Sequence, residues 1–176
     1  MTLLNTPCSL NATLQLFITG GTLDKEYDAL SGELIFSSTV VPDLLKEANC
    51  TLASDVQVLM QKDSLHMTDE DRAIICQACL NASAQHIVIT HGTDTMVQTA
   101  LALLTAFAAD DLQKTIVLTG AMRPFQLGRS DASFNLGSAL MAAQTAPFGV
   151  YIVMNGRLFN AQSVQKNRAL GVFEPL

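Results

Sequence analysis

Two short stretches bring together the groups that an acyl-transfer reaction needs. The first is TGGTL, residues 19–23, and the second is HGTDTM, residues 91–96. A threonine hydroxyl is a poor nucleophile at its free pKa and needs a proton acceptor beside it. Asp94 with a nearby lysine could form that relay, partial burial holding the lysine at a useful pKa. Backbone N–H groups in the glycine-rich turns, at Gly21 and Gly92, could stabilise an oxyanion. The ingredients for acyl transfer without histidine are therefore present.

Each stretch also has a plainer reading. The glycines could simply turn the chain, with Thr22, Thr93 or Asp94 capping the next element. A phosphate cradle is poorly supported at TGGTL, which is neither G-x-G-x-x-G nor followed by G-K-[ST]; the charged segment DKEYD comes next instead of an apolar helix. His91 resembles a general base, but no G-x-S-x-G accompanies it, and His66 and His86 are no better placed. Cys8, Cys50, Cys76 and Cys79 include a C-Q-A-C pair, yet that pair lies inside the helical pattern TDEDRAIICQACLNAS, with no second pair and no partner histidine. Buried structural thiols are the expectation. No ligand cluster suggests a metal, and the chemistry requires no organic cofactor.

The elements that must position these groups follow one repeating pattern. Short apolar runs at LQLFITGGT (14–22), VQVLM (56–60), HIVITHGTDT (86–95), TIVLTGAMRP (115–124) and GVYIVMNGR (149–157) alternate with helical patterns at 41–49, 68–83, 95–110 and 130–144. Thr68 reads as an N-cap, with the acidic residues 69–71 complementing the first helical turn. Apolar strands alternating with helices indicate a parallel sheet covered on both faces. The segment EYDALSGELIF (26–36) has strand-like ends around a Ser-Gly turn and reads as a hairpin or flap. Ligands of open parallel sheets collect outside the carboxyl ends of the strands, and TGGT, HGTDT, TGAMRP and MNGR each follow an apolar run.

Composition narrows the partners. The chain has 176 residues, 49% of them apolar, which suits one well-filled domain. A formal charge of -6 and no basic run argue against nucleic acid and against an anionic membrane surface. MTLLNTPCSL lacks the basic and apolar regions of a secretory signal, and TALALLTAFAA (99–109) is too short to span a bilayer. A cytoplasmic protein is expected.

Beyond these readings, the sequence resembles the bacterial-type asparaginase/glutaminase family, specifically its amino-terminal domain. The likeness runs from TGGTL through DSLHMT (63–68), VITHGTDTM and LTGAMRP to SDASFNLGSA and VMNGRLFNAQSVQK (153–166). The ordered pair TGGT and HGTDTM, each after a strand, is what makes it specific. The resemblance implies a Rossmann-like or flavodoxin-like α/β fold, with a mainly parallel sheet, helices on both faces and an N-terminal β-hairpin flap. It also implies hydrolysis of the side-chain amide of asparagine, often of glutamine too, with release of ammonia. Thr22 then resembles the nucleophile and Tyr27 the flap tyrosine that assists it. Thr93, Asp94 and Lys166 match the Thr–Lys–Asp relay. Gly21, Asp63, Ser64 and Gly92 match the substrate-binding turns, with Ser64 at the α-carboxylate.

Three departures accompany the resemblance. The stretch between Thr22 and Tyr27 is shorter than usual, and Leu65 stands where a Ser or Gln commonly helps hold the substrate. The family's second, smaller domain, which delivers an acidic group to the substrate ammonium, has no counterpart within residues 1–176. Asp24, Glu26, Asp28 or a residue of another subunit would have to replace that group. RALGVFEPL is then either the natural end of a short-chain, one-domain member or a cut at a domain boundary. Apolar surface without a second domain is compatible with a homo-oligomer.

Overall fold

The computed structural model describes residues 14–107 and 112–176. The chain opens with β1 (Leu14–Gly20), a 3-10 turn at Thr22–Asp24, and a hairpin of β2 (Lys25–Tyr27) and β3 (Leu34–Phe36). Then come α1 (Val41–Glu47), β4 (Ser54–Lys62), α2 (Asp69–Asn81), β5 (His86–Thr90), α3 (Met96–Ala106) and β6 (Thr115–Thr119). It finishes with α4 (Ala132–Thr145), β7 (Gly149–Met154), β8 (Arg157–Asn160), β9 (Val164–Asn167) and β10 (Val172–Pro175).

Six strands form one sheet in the order β4-β1-β5-β6-β7-β8. Neighbours from β4 to β7 are parallel and β8 runs antiparallel to β7. This is the expected mainly parallel α/β sheet with helices on both faces. The period-two rule of a strand explains the two cores. On one face Ile87, Ile89, Ile116 and Leu118 meet Ile75 and Cys79 of α2 and Met96 and Leu103 of α3. On the other, Val88 and Val117 meet Val41 and Leu44 of α1 and Leu136 and Leu140 of α4. Each such side chain, taken fully out of water, contributes about 1.5–3 kcal/mol.

The helices begin and end for local reasons. Thr68 is the N-cap of α2, as the sequence pattern predicts, and with Asp71 it forms a reciprocal capping box. Cys79 is fully buried inside that helix, and burial pushes its thiol up to about 12. Together with the buried Cys76, it is a structural thiol. Pro42 sits in the first turn of α1, where its missing N–H costs nothing. The hairpin β2–β3 forms as expected, and Asp28 caps its turn through the N–H groups of Leu30 and Ser31.

The structure also departs from the pattern. The stretch MNGR is not a strand-to-helix turn: Asn155 and Gly156, with φ of 56° and 72°, make a two-residue hairpin turn into β8. Strand β4 is longer than the apolar run VQVLM because it lies at the sheet edge, where only part of it needs to be apolar. Helix α3 ends at Ala106, and the rest of the expected 95–110 helix, apart from Phe107, lies outside the described residues, as do Asp110, Asp111, Cys8 and MTLLNTPCSL. Among the described residues no helix is long and apolar enough to cross a membrane.

One crossover is unusual. The connections β5–α3–β6 and β6–α4–β7 step the same way across the sheet, yet α3 and α4 cover opposite faces. Their hands must therefore differ. Parallel crossovers are right-handed in about 98% of cases. The α1, α2 and α3 crossovers agree with one another, so α4 is the exception.

Candidate active site

Strands β1 and β5 are neighbours in the sheet, and their connections leave toward opposite faces. That is the topological switch point, where a crevice opens at the carboxyl ends of the strands. TGGT leaves β1 there and HGTDT leaves β5. Gly20 and Gly21 both take positive φ, 91° and 82°, which glycine alone adopts without strain.

The turns touch through backbone. A Cβ at Gly21 would lie 2.6 Å from the Gly92 Cα, and a Cβ at Gly92 would lie 2.5 Å from Ser64 Oγ. Glycine at both positions is thus a condition for closing TGGT, HGTDT and the Asp63–Ser64 turn onto one another. Gly21 N donates to the Lys62 carbonyl at 3.0 Å, and Thr95 Oγ1 donates to the Ser64 carbonyl at 2.8 Å. Thr22 and Thr93 follow the two touching glycines, so both threonines belong to one crevice.

Lys166 arrives from β9, far along the chain. Its Nζ donates to Thr93 Oγ1 at 2.7 Å and to Asp94 Oδ1 at 2.8 Å. The lysine side chain is only 10% exposed and Thr93 is buried. The ammonium is thus satisfied by a hydroxyl and a carboxylate at once, the arrangement through which a proton could be passed between them. Arg168 adds a looser contact, its Nη1 3.9 Å from Asp94 Oδ1. A cavity of about 350 Å³ opens beside this relay and is lined in part by Gln98, Gln165 and Arg168. A larger one, about 490 Å³, lies between α2 and α3, and none of these groups lines it.

Thr22 heads the 3-10 turn and is half-buried. Tyr27 is exposed at the end of β2, on the same side of that strand as Lys25, two residues earlier. Sequence reasoning passed over Lys25 as part of a charged segment. Its Nζ reaches Asp63 Oδ2 at 2.5 Å and so ties the base of the flap to the Ser64 turn. The signal was the two-residue spacing to Tyr27 on a strand. The Asp63 carboxylate also accepts from Leu65 N at 3.0 Å, and Lys25 above all holds it below the usual carboxylate range. Leu65 itself is exposed.

The acidic residues near Thr22 have different fates. Asp24 is buried and turned inward, where Oδ1 accepts from Thr39 Oγ1 and Val40 N, both at 2.9 Å. Burial raises its pKa against those two bonds. Asp28 is engaged by its own hairpin turn. Glu26 lies on β2, opposite Ile35. His91 is fully buried, with Nδ1 2.7 Å from the Gly92 carbonyl and Nε2 2.8 Å from Thr99 Oγ1. Burial drives its pKa down to about 4, so it is a neutral scaffold residue. Among the described residues no three His, Cys, Asp or Glu side chains converge to hold a metal.

Comparison with known proteins places this geometry among relatives. Residues 13–173 match the family model "Asparaginase, N-terminal". The chain is 34% identical over 145 residues to a glutamyl-tRNA(Gln) amidotransferase subunit of Saccharolobus solfataricus, covering 80% of this chain and 32% of that protein. It is also 34% identical over 154 residues to the corresponding amidotransferase subunit of Methanococcus vannielii, covering 82% and 34%. Among solved structures, the thermostable L-asparaginase from Thermococcus kodakarensis superposes with a TM-score of 0.78 at 27% identity, over 93% of this chain and 51% of that one. L-asparaginase I from Vibrio cholerae superposes with a TM-score of 0.79 at 26% identity, again over 93% and 51%. The chain spans about a third of the length of those amidotransferase subunits and about half of those asparaginases.

Proposed function

The chain belongs to the asparaginase family, to whose amino-terminal domain nearly all of it corresponds, and from that premise we propose that it hydrolyses the side-chain amide of L-asparagine to L-aspartate and ammonia. Thr22 Oγ1 attacks the amide carbon, assisted by Tyr27; the carbon–nitrogen bond breaks and the proton given up by the Thr22 hydroxyl leaves on the amide nitrogen, as ammonia. A water near Thr93, Asp94 and Lys166 then attacks the acyl-enzyme and releases aspartate. Gly21, Asp63, Ser64 and Gly92 shape the substrate pocket, with Ser64 at the α-carboxylate. Asp63 contributes through its neighbours, because Lys25 and Leu65 already occupy its carboxylate.

The observation that carries this reading is the ammonium of Lys166 spanning Thr93 Oγ1 and Asp94 Oδ1, in the turn whose Gly92 abuts Gly21. A module that only binds an amino acid has no use for that relay. The proposed partner is a small molecule, asparagine or glutamine, and the proposed setting is the cytoplasm. A homo-oligomer would let another subunit supply the acid that meets the substrate ammonium.

The likeness to glutamyl-tRNA(Gln) amidotransferase subunits favours one second reading, an amidase acting on a larger substrate that contains Asn or Gln. Ammonia release from asparagine and glutamine by the purified chain, beside Thr22→Ala and Lys166→Met, separates the readings. Turnover should fall by about 10³-fold or more in each variant, as expected when a nucleophile or its proton relay is removed. Turnover that survives in Thr22→Ala would refute the nucleophile. Absence of turnover with both amino acids would transfer support to the larger substrate.

A further inference from the structure

The stretches SDASFNLGSA and VMNG enter no step of that reaction, yet hydrogen bonds lead from them to β10, the strand paired with the one that carries Lys166. Asn135 of α4 is 1% exposed, and its Nδ2 donates to the Gly120 carbonyl at 3.0 Å and to Asp131 Oδ2 at 2.8 Å. Its Oδ1 accepts from Asn155 N at 3.3 Å. Asn155 Oδ1 in turn accepts from Phe173 N at 3.0 Å. In the β9–β10 ribbon, Phe173 stands directly across from Lys166.

We propose that Asn135 and Asn155 are positioning residues that set the register of the β9–β10 ribbon and thereby hold Lys166 across Thr93 and Asp94. The ribbon is two-stranded and separate from the main sheet. Such a ribbon is marginal alone, so something outside it must fix its place. Val164 and Phe173 anchor its depth, since both are buried in the core. Apolar contact is non-directional and tolerates sliding along the strand. A hydrogen bond to one backbone N–H does not, and Asn155 supplies it at the residue facing Lys166. Lys166 needs that accuracy because its ammonium must satisfy two acceptors at once, at 2.7 and 2.8 Å.

The hairpin conformation suits Asn155 to this anchoring role. Its φ of 56° is tolerated by Gly, Asn and Asp, and Asn brings the acceptor that Gly lacks. The opposite-handed α4 crossover completes the path, because it lays α4 on the face where Asn135 can join Gly120 at the end of β6 to Asn155 at the end of β7.

The inference uses the amidohydrolase reading only for its kinetic measurement. Asn155→Gly keeps the turn and removes the acceptor, whereas Asn155→Asp keeps both. In Asn155→Gly, kcat for asparagine should fall by about 10- to 100-fold, the scale of a 1 Å misplacement, with KM nearly unchanged. Asn155→Asp should retain kcat within a few-fold of wild type. A crystal structure of Asn155→Gly should show Lys166 Nζ moved beyond about 3.2 Å from Thr93 Oγ1. Should the glycine variant not fold, Asn135→Ser frees the Asn155 N–H and offers the same measurements. Wild-type kcat in Asn155→Gly, a loss carried by KM, equal impairment in Asn155→Asp, or an unmoved Lys166 would each overturn the proposal. If wild type hydrolyses neither amide, the free-asparagine reading fails, and the crystallographic position of Lys166 still decides this one.

Discussion

His91 gives the sharpest physical test, because its burial predicts both the sign and the size of an effect. The Gly92 carbonyl can only accept, so Nδ1 carries the proton and donates to it at 2.7 Å. Nε2 then accepts from Thr99 Oγ1 at 2.8 Å, with Met67 Sδ at 3.1 Å. A second proton on Nε2 would put a full positive charge into a fully buried site, which burial penalises. Burial accordingly lowers the pKa from 6.5 to about 4. Above 6.5 both the native and the unfolded chain hold neutral histidine, and the group has no effect on the pH dependence. Below it the unfolded chain takes up a proton that the native chain refuses, so stability falls as the pH drops toward 4. The slope approaches 1.4 kcal/mol per pH unit, which over this interval amounts to about 3 kcal/mol. Asp63 and Asp71, both held low by lysine partners, add losses only when they too are protonated, at still lower pH. Asp24 works the other way, since its raised pKa favours the native state as pH falls. His91→Gln removes the titration and leaves these carboxylates in place. Urea unfolding of both proteins between about pH 7 and pH 4 measures the difference. The variant should start less stable by about 1–2 kcal/mol and decline less, by about 3 kcal/mol across the interval. Parallel stability curves would show that His91 titrates normally and would refute the buried, neutral assignment.

Gly21→Ala places a methyl group 2.6 Å from the Gly92 Cα at a φ of 82°, so both turns must shift; we expect a loss of about 1–3 kcal/mol in urea unfolding, and near-complete loss of ammonia release. An alanine variant of wild-type activity would mean that the two turns need not touch. Thr68→Ala removes the acceptor for Asp71 N at the start of α2 and should cost about 1 kcal/mol in the same assay, with kcat unchanged.

Much of the fold was legible because its signals are local. The runs HIVIT and TIVLT are apolar throughout, bounded by turns and interleaved with helical patterns, which is how a strand buried on both faces must read. Thr68 announced α2 because a capping box needs only neighbouring residues. The features that were not legible depend on partners distant in sequence. MNG was read as a sheet-edge turn like the others, although Asn-Gly between apolar runs is a hairpin signal. The opposite-handed α4 crossover has no local signature, since hand is set by which face a helix packs on. Lys25 looked like a solvated charge until the fold brought Asp63 to it.

The same contrast explains why this site can be recognised in sequence but not built from it. Thr22, Ser64 and Thr93 converge because Gly21 and Gly92 let their turns approach closer than any side chain would allow. A glycine leaves no doubt in sequence that something special happens there, but it does not say which segment approaches. Lys166 reverses the situation. Its side chain is long enough to be written off as solvated, and its place depends on the ribbon, from which β10, Asn155 and Asn135 lead back to the main sheet. Contacts between glycine turns tolerate almost no substitution, while a lysine held by a ribbon depends on every bond that fixes the ribbon. Variation around this site should therefore damage it in two distinguishable ways. Changes in the turns should prevent assembly of the crevice and appear in stability as well as turnover. Changes in the asparagine path should leave the crevice formed and slow the proton relay alone.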